Sequence, residues 1–460
     1  MTRRRQQKQL GLHFTEAPRG EAHGQPGSDE RAKVTCGHES PTTPERLMEE
    51  VCEPANLKRA LERVVKNKGG PGVDGMTVEA LRPYVWENWE TLRGQLLRDC
   101  YKPQPVKRTE IPKPGGGVRK LGIPTAVDRM IQQAMLQVLQ RRWDPTFSQY
   151  SYGFRPRRSA HQAVAQAQTY IEDGYDWVVD IDLEKFFDQV NQDMLVARVA
   201  KRVGDKRILR LIRRFLQAGV LEDGLTRPTR TGTPQGGPLS PLLSNLFLDD
   251  LDRELERRGL RFVRYADDSN IYVRSERAGR RVMESVKRFI SKKLKLKVNE
   301  KKSAVGKPSS RKFLGFSFTE EREPRRQPSR ASIVRFRETV QGMTRRAGGQ
   351  SVQQVVASMG NYLQGWLGYY GFSEVKWEFR MLGAWLRRRL RCLIWAQWKT
   401  SQKRFKELRR RGVNCGLAKR SAGSSKGPWR MSGSRALQVA LPNAYFTKLG
   451  LPPMVAHGDA

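Results

Sequence analysis

Phe262-Val263-Arg264-Tyr265-Ala266-Asp267-Asp268-Ser269-Asn270-Ile271-Tyr272-Val273 is the stretch on which the reading of this chain turns. Phe262 to Tyr265 and Asn270 to Val273 are strand-like runs flanking a tight turn, which predicts a hairpin. Its tip carries Asp267 and Asp268. Two adjacent carboxylates repel each other and cost stability unless a cation sits beside them. An Asp-Asp pair alone is also a common solvated turn, so the hairpin needs a second observation.

Some eighty residues upstream, Trp177-Val178-Val179-Asp180-Ile181-Asp182 reads as a buried strand ending in acids, followed by Leu183-Glu184-Lys185-Phe186-Phe187-Asp188. Strand alternation places Asp180 and Asp182 on one face. A strand-end carboxylate brought beside a carboxylate hairpin makes a site for two Mg2+ ions, which prefer oxygen ligands. Two such ions about 3.5–4 Å apart activate a hydroxyl and stabilise a leaving pyrophosphate in an in-line displacement. Phosphoryl transfer of this kind asks for positioning and charge neutralisation more than for a dedicated base. The rest of the composition agrees. Five histidines and five cysteines are scattered with no Cys-x-x-Cys pair, which leaves neither a zinc site nor a disulfide framework at workable spacing.

The chain of 460 residues has 86 Lys and Arg against 47 Asp and Glu, a formal charge of +39. A surplus that large points to a polyanionic partner, nucleic acid before membrane. No apolar run approaches the roughly 18–20 residues that span a bilayer, and the basic start Met1-Thr2-Arg3-Arg4-Arg5 lacks the apolar stretch of a secretory signal. An intracellular location follows as an expectation.

Residues 1–45 are polar, without hydrophobic periodicity and nearly balanced in charge, and read as a disordered extension. Order is expected from near Pro54, in a helix carrying Leu57, Leu61 and Val64, followed by a turn-rich loop at Gly69 to Gly75. From about 106 to 318 short strands alternate with helices, including a helix over 240–258 and a strand over 313–318. After 319 the composition changes to 27 Lys and Arg against 8 Asp and Glu, with six of the ten Trp. Helices are predicted over 351–370 and 376–399; Leu386, Leu390, Leu393 and Ile394 share one face of the second, while Arg387, Arg388, Arg389 and Arg391 crowd the rest. A flexible loop is expected over 421–427.

Two further segments lie in a telling order. Ile111-Pro112-Lys113-Pro114-Gly115-Gly116-Gly117-Val118-Arg119 reads as a basic hairpin with a glycine tip, and Thr233-Pro234-Gln235-Gly236-Gly237-Pro238 lies between the two acidic motifs, where two glycines let the backbone approach a ligand closely. In this context Tyr265-Ala266-Asp267-Asp268 resembles the Tyr-x-Asp-Asp hairpin of reverse transcriptases, and Asp182 with Phe187 resembles their other catalytic palm motif. The resemblance implies Asp182, Asp267 and Asp268 as the catalytic, metal-holding acids and Phe187 as the gate that disfavours ribonucleotides. It implies Gln235 and Gly236 as nucleotide contacts, with Lys113 and Arg119 on the triphosphate. Arg155, in Ser151-Tyr152-Gly153-Phe154-Arg155-Pro156, falls near template, and Lys301 and Lys302 near a primer grip.

The wording of Gln235 to Leu251 and of Phe313 to Phe318, with Asn361-Tyr362-Leu363-Gln364-Gly365-Trp366 in the place of a thumb or maturase (X) domain, is similar to bacterial group II intron proteins over roughly 50–450. With no paired cysteines and a lone late histidine, the chain resembles the class lacking an endonuclease. That resemblance implies an α+β right-hand polymerase: fingers and palm with an antiparallel sheet over 46–318, a helical thumb over 319–400, and a basic DNA-binding region over 401–460 that shares the arginines at 387–391. It implies an RNA-directed DNA polymerase whose partners are intron RNA, an RNA template with DNA primer, target DNA and dNTPs, as a monomer or a homodimer in the bacterial cytoplasm at the nucleoid. The alternatives are a splicing-only maturase and a domesticated reverse transcriptase of DNA repair or phage defence.

Overall fold

The computed structural model describes residues 46–112, 117–222, 225–227, 232, 236–345 and 349–455. The expected extension over 1–45, together with Lys113 and Gln235, lies outside them. Ten strands occur among the described residues. They are β1 (Val106–Pro112), β2 (Val118–Ile123), β3 (Trp177–Ile181), β4 (Val220–Glu222) and β5 (Leu225–Arg227). The later ones are β6 (Arg261–Tyr265), β7 (Asp268–Val273), β8 (Ala304–Gly306), β9 (Phe316–Phe318) and β10 (Arg326–Pro328). The chain divides into two compact units, one made of residues up to 148 together with 184–250, the other of 149–183 together with 251 onward.

The first unit is organised around the helix Ala126–Trp143, which is buried on nearly every face of its N-terminal half. Thr125 caps it by accepting from the Asp128 amide, and the buried Asp128 carboxylate accepts in turn from Tyr101 Oη at 2.8 Å. The helix Pro54–Lys66 lies against it through Leu57, Leu61 and Val64, and Asn56 donates to the Ala134 carbonyl at 3.1 Å. A short helix that the sequence did not indicate, Leu47–Val51, precedes Pro54, its Met48 amide donating to Asp205 at 3.0 Å. The glycine-tipped hairpin forms as β1 and β2, within a four-stranded sheet ordered β2-β1-β4-β5.

The second unit holds a four-stranded antiparallel sheet ordered β6-β7-β3-β8. Val178 and Val179 of the central β3 are buried, Val178 in a core with Val263, Tyr272 and residues of the helix Ala160–Glu172. That helix starts at a capping box, Ser159 and Gln162 bonding reciprocally. A helical body follows, in which Arg330–Arg345, Val352–Tyr370 and Lys376–Gln397 enclose Phe336, Val356, Leu363, Leu386, Leu390 and Trp395. It is tied to the sheet region by Tyr369 Oη donating to the Leu314 carbonyl at 2.8 Å and by Arg326 pairing with Glu374 at 2.8 Å.

Two local expectations change. Residues 313–318 are not one strand: Leu314 and Gly315 take left-handed φ of 51° and 85°, so Phe313 turns back onto Phe316 and only Phe316–Phe318 continues as β9. The loop over 421–427 is shorter, because Ser421 and Ala422 are buried in the helix Cys415–Ala422. No helix among the described residues is long and apolar enough to cross a membrane.

Candidate active site

The acids meet because of how β3, β6 and β7 pair. β6 and β7 form the predicted hairpin, with Tyr265 opposite Asp268 and only Ala266 and Asp267 between them. A two-residue turn that matches strand twist needs positive φ, and Ala266 supplies it at 58°. β7 then pairs with β3, setting Asn270 opposite Asp180 and Ser269 opposite Ile181. Asp182, the next residue of that chain, therefore leaves the sheet beside the hairpin tip.

Asp182 is held at its backbone on both sides. Its carbonyl accepts from the Asn299 amide at 2.8 Å, and its amide donates to Ser303 Oγ at 3.0 Å. Its carboxylate faces the Lys302 ammonium at 3.1 Å. Asp180 is occupied otherwise: Arg311 pairs with it at 2.6 Å and also donates to the Lys302 carbonyl at 2.7 Å, which ties the Lys302 segment to β3. Burial raises the Asp180 carboxyl although Arg311 works against the shift. Asp268 is pushed up to about 7, first by crowding of surrounding protein and then by the negative charges of Asp267, Asp182 and Asp180. Asp268 is nonetheless exposed to solvent, which screens those charges.

This donor set suits a hard divalent cation. Among the described residues no three His, Cys, Asp or Glu side chains form a ready-made cage. Magnesium asks for no such cage, since it keeps waters and takes one or two carboxylates together with substrate phosphate oxygens. The raised Asp268 and the ammonium drawn to Asp182 are what acids short of neutralising charge produce. Asp182, Asp267 and Asp268 are thus brought to one end of one sheet, as the sequence indicated.

The remaining predicted residues are distributed over both units. Lys301 and Lys302 are exposed beside the Asp182 segment. Arg155 is half-buried and donates to the Ser151 carbonyl at 2.9 Å. In the first unit Arg119 is exposed on β2 opposite Ile111. Phe187 is half-buried in the short helix Phe186–Gln189, its ring edge-on to Phe186 at 5.2 Å. Gly236 has φ of 133°, and a Cβ there would stand 2.4 Å from the Gly122 carbonyl oxygen, so the loop reaches β2 only because it carries glycine.

The arginines at 387–391 are half-buried and engaged. Arg388 stacks on Trp429 at 4.2 Å, Arg389 donates to Thr344 Oγ1 at 2.8 Å, and Arg391 donates to the Leu441 carbonyl at 2.9 Å. Burial lowers the Arg387 guanidinium below its ordinary value. Sequence reasoning missed Arg264, Asp252 and Gly153, which surround the hairpin turn. The signal was present in Arg264, a charge interrupting an apolar strand.

Residues 111–318 match the family model described as reverse transcriptase (RNA-dependent DNA polymerase), and 333–412 match that of the group II intron, maturase-specific domain. Protein YkfC of Escherichia coli K12 is 37% identical over 222 residues, covering 47% of this chain and 58% of that protein. The group II intron-encoded protein LtrA of Lactococcus lactis subsp. cremoris is 28% identical over 337 residues, covering 59% of this chain and 56% of that one. The chain thus spans little more than half the length of these relatives. Among solved structures, a partial Cas6-RT-Cas1–Cas2 complex is 27% identical with a TM-score of 0.35, covering 54% of this chain and 43% of that one. Telomerase from Candida albicans is 13% identical with a TM-score of 0.40, covering 61% and 57%.

Proposed function

We propose that the chain is a reverse transcriptase of the group II intron-encoded kind, which copies RNA into DNA and assists the splicing and mobility of an intron RNA. The observation that carries the reading is the convergence of Asp182, Asp267 and Asp268 at one sheet end with Asp268 pushed up to about 7. Members of the family use divalent metal ions; here we take them to be two Mg2+, held by those three acids. When bound, the ions supply activation of the primer hydroxyl and neutralisation of the departing pyrophosphate.

This chain's own residues do the positioning. Asn299 and Ser303 fix the Asp182 backbone, and Lys302 adds positive charge where phosphate oxygens arrive. Phe187 sits under the sugar and disfavours ribonucleotides, Gln235 and Gly236 line the nucleotide, and Lys113 and Arg119 take the triphosphate. Arg155 and Lys301 contact nucleic-acid phosphates. Residues 46–318 serve as fingers and palm, 319–400 as thumb, and 401–460 as the DNA-binding region; Arg387, Arg388, Arg389 and Arg391, late in the thumb, add to nucleic-acid binding only what the fold leaves unused. The partners are intron RNA, a primed RNA template, target DNA and dNTPs.

The test is dTTP incorporation on poly(rA)/oligo(dT) with Mg2+, beside an Asp267→Ala/Asp268→Ala variant. Synthesis by the wild type, lost in the variant while RNA binding persists, supports the polymerase. Tight RNA binding without DNA synthesis under varied salt and metal would put a splicing-only maturase in its place.

A further inference from the structure

A charge pair with no access to solvent lies directly beneath the acidic turn. Both side chains of Arg264 and Asp252 are 0% exposed. The guanidinium grips the carboxylate with two bonds, Nε to Oδ1 at 2.7 Å and Nη2 to Oδ2 at 2.6 Å. Its third nitrogen, Nη1, donates to the Ala266 carbonyl at 2.9 Å. That carbonyl belongs to the peptide joining Ala266 to Asp267, so the fork holds the plane from which the Asp267 side chain departs.

The other side of the turn is held equally closely. Tyr152 donates its amide to the Arg264 carbonyl at 2.8 Å, and Arg264 donates its own to the Tyr150 carbonyl at 2.9 Å. This draws the segment 150–153 against the turn until a Cβ on Gly153 would stand 2.3 Å from the Ala266 nitrogen. Ala266 itself is 8% exposed and sits at φ of 58°, a conformation that a non-glycine residue keeps only when its surroundings insist on it. A buried ion pair is a poor device for stability alone, because apolar replacements of similar volume often do as well or better. Such a pair is better understood by what its spare hydrogen bond fixes.

We propose that Arg264, oriented by Asp252 and backed by the close approach of Gly153, is the positioning residue of the acidic turn, holding the Ala266–Asp267 peptide so that Asp267 and Asp268 present their carboxylates together to a divalent cation. This deepens, and rests on, the polymerase reading. Partners that orient metal-binding groups without touching the metal typically change affinity about 10- to 100-fold when removed.

The experiment uses the full chain and Mn2+ alone, with free Mn2+ followed by electron paramagnetic resonance and folding by thermal melting. Arg264→Met by itself would strand a buried carboxylate, so the informative variant is Arg264→Met/Asp252→Leu, which removes both charges. It is expected to melt at or above the wild-type temperature and yet need about 10- to 100-fold more Mn2+ for half-saturation. Polymerisation at saturating metal should recover most of kcat, which separates misplacement from general damage. Gly153→Ala reaches the same turn with the ion pair intact and is expected to weaken Mn2+ in the same direction; it serves as the second probe if the double variant folds poorly. Wild-type Mn2+ affinity in a folded double variant, or in folded Gly153→Ala, overturns the positioning role and leaves the polymerase reading standing. If the wild type binds no Mn2+, or if binding survives Asp267→Ala/Asp268→Ala, the polymerase reading falls and this inference with it.

Discussion

Asp268→Asn should make the metal-free protein more stable while abolishing its chemistry, and the size of the gain should depend on pH. In the fold the Asp268 carboxyl moves from an ordinary 3.8 to about 7, through crowding first and then through Asp267, Asp182 and Asp180. Between those two values the native state holds a proton that the unfolded state has released. Stability therefore falls as pH rises through the window and levels off above about 7. The full displacement would correspond to roughly 4 kcal/mol as a ceiling. Asp268 is exposed to solvent, so about 1–2 kcal/mol is the expected gain at pH 8 after screening. That is roughly 2–8 °C in melting temperature for a unit of this size. Near pH 4 the variant and the wild type should melt together. Millimolar Mg2+ should close the gap at pH 8, since the wild type then gains a ligand that the variant holds less well. The assay is scanning calorimetry of both proteins at pH 4, 6 and 8, with and without Mg2+. Equal melting at pH 8, or a gap that stays constant from pH 4 to 8, would refute the account of mutual repulsion at the turn.

Trp395→Ala should cost about 3–5 kcal/mol in urea unfolding of the helical body, because the side chain is 0% exposed and packed against Trp398 and Arg404. Trp395→Phe should cost much less, since the buried indole N–H has no hydrogen-bond partner to lose among the described residues. Arg391→Ala should lower stability by about 1–3 kcal/mol through its lost bond to Leu441, while leaving the salt dependence of RNA binding unchanged. Lys301→Ala should do the reverse, keeping the melt and reducing the log–log salt slope by about 1. Gly236→Ala, blocked by the Gly122 carbonyl at 2.4 Å, should raise the KM for dTTP roughly tenfold and lower the melting temperature by a few degrees, for a backbone strain of about 1–3 kcal/mol.

The acidic site was legible from the chain because its logic is local. Two apolar runs around Ala266-Asp267 predict a hairpin, and acids ending the run at Val178-Val179 cannot be core. Helices with clean periodicity, such as Val352–Tyr370 and Lys376–Gln397, were equally plain. What could not be read was set by partners distant in sequence. Asp252 meets Arg264 only when the end of its helix and β6 are side by side, and Arg311 reaches Asp180 across 131 positions. The turn at Leu314-Gly315 was hidden inside an aromatic run whose pattern suits a strand, and the helix Leu47–Val51 was too short to show a period. The arginines at 387–391 mark a subtler limit. Their charge indicates a nucleic-acid surface, but composition cannot tell which guanidinium hydrogens the fold has already spent on Trp429, Thr344 and Leu441.

The strand order β6-β7-β3-β8 also has a consequence for how this protein is made. β3 is central, yet both its neighbours are encoded far downstream, after an excursion over 184–250 that belongs to the other compact unit. At the usual pace of about 5–20 residues per second, a nascent β3 waits several seconds or longer for β7 and longer still for β8. Throughout that interval an apolar strand, Trp177 to Ile181, has both hydrogen-bonding edges unclaimed. Birth order thus runs against sheet order, and a ribosome stalled anywhere before Val273 releases a chain with its acids unassembled and a sticky strand exposed. Slow, non-local pairing of this kind favours capture by holding chaperones over rapid self-burial.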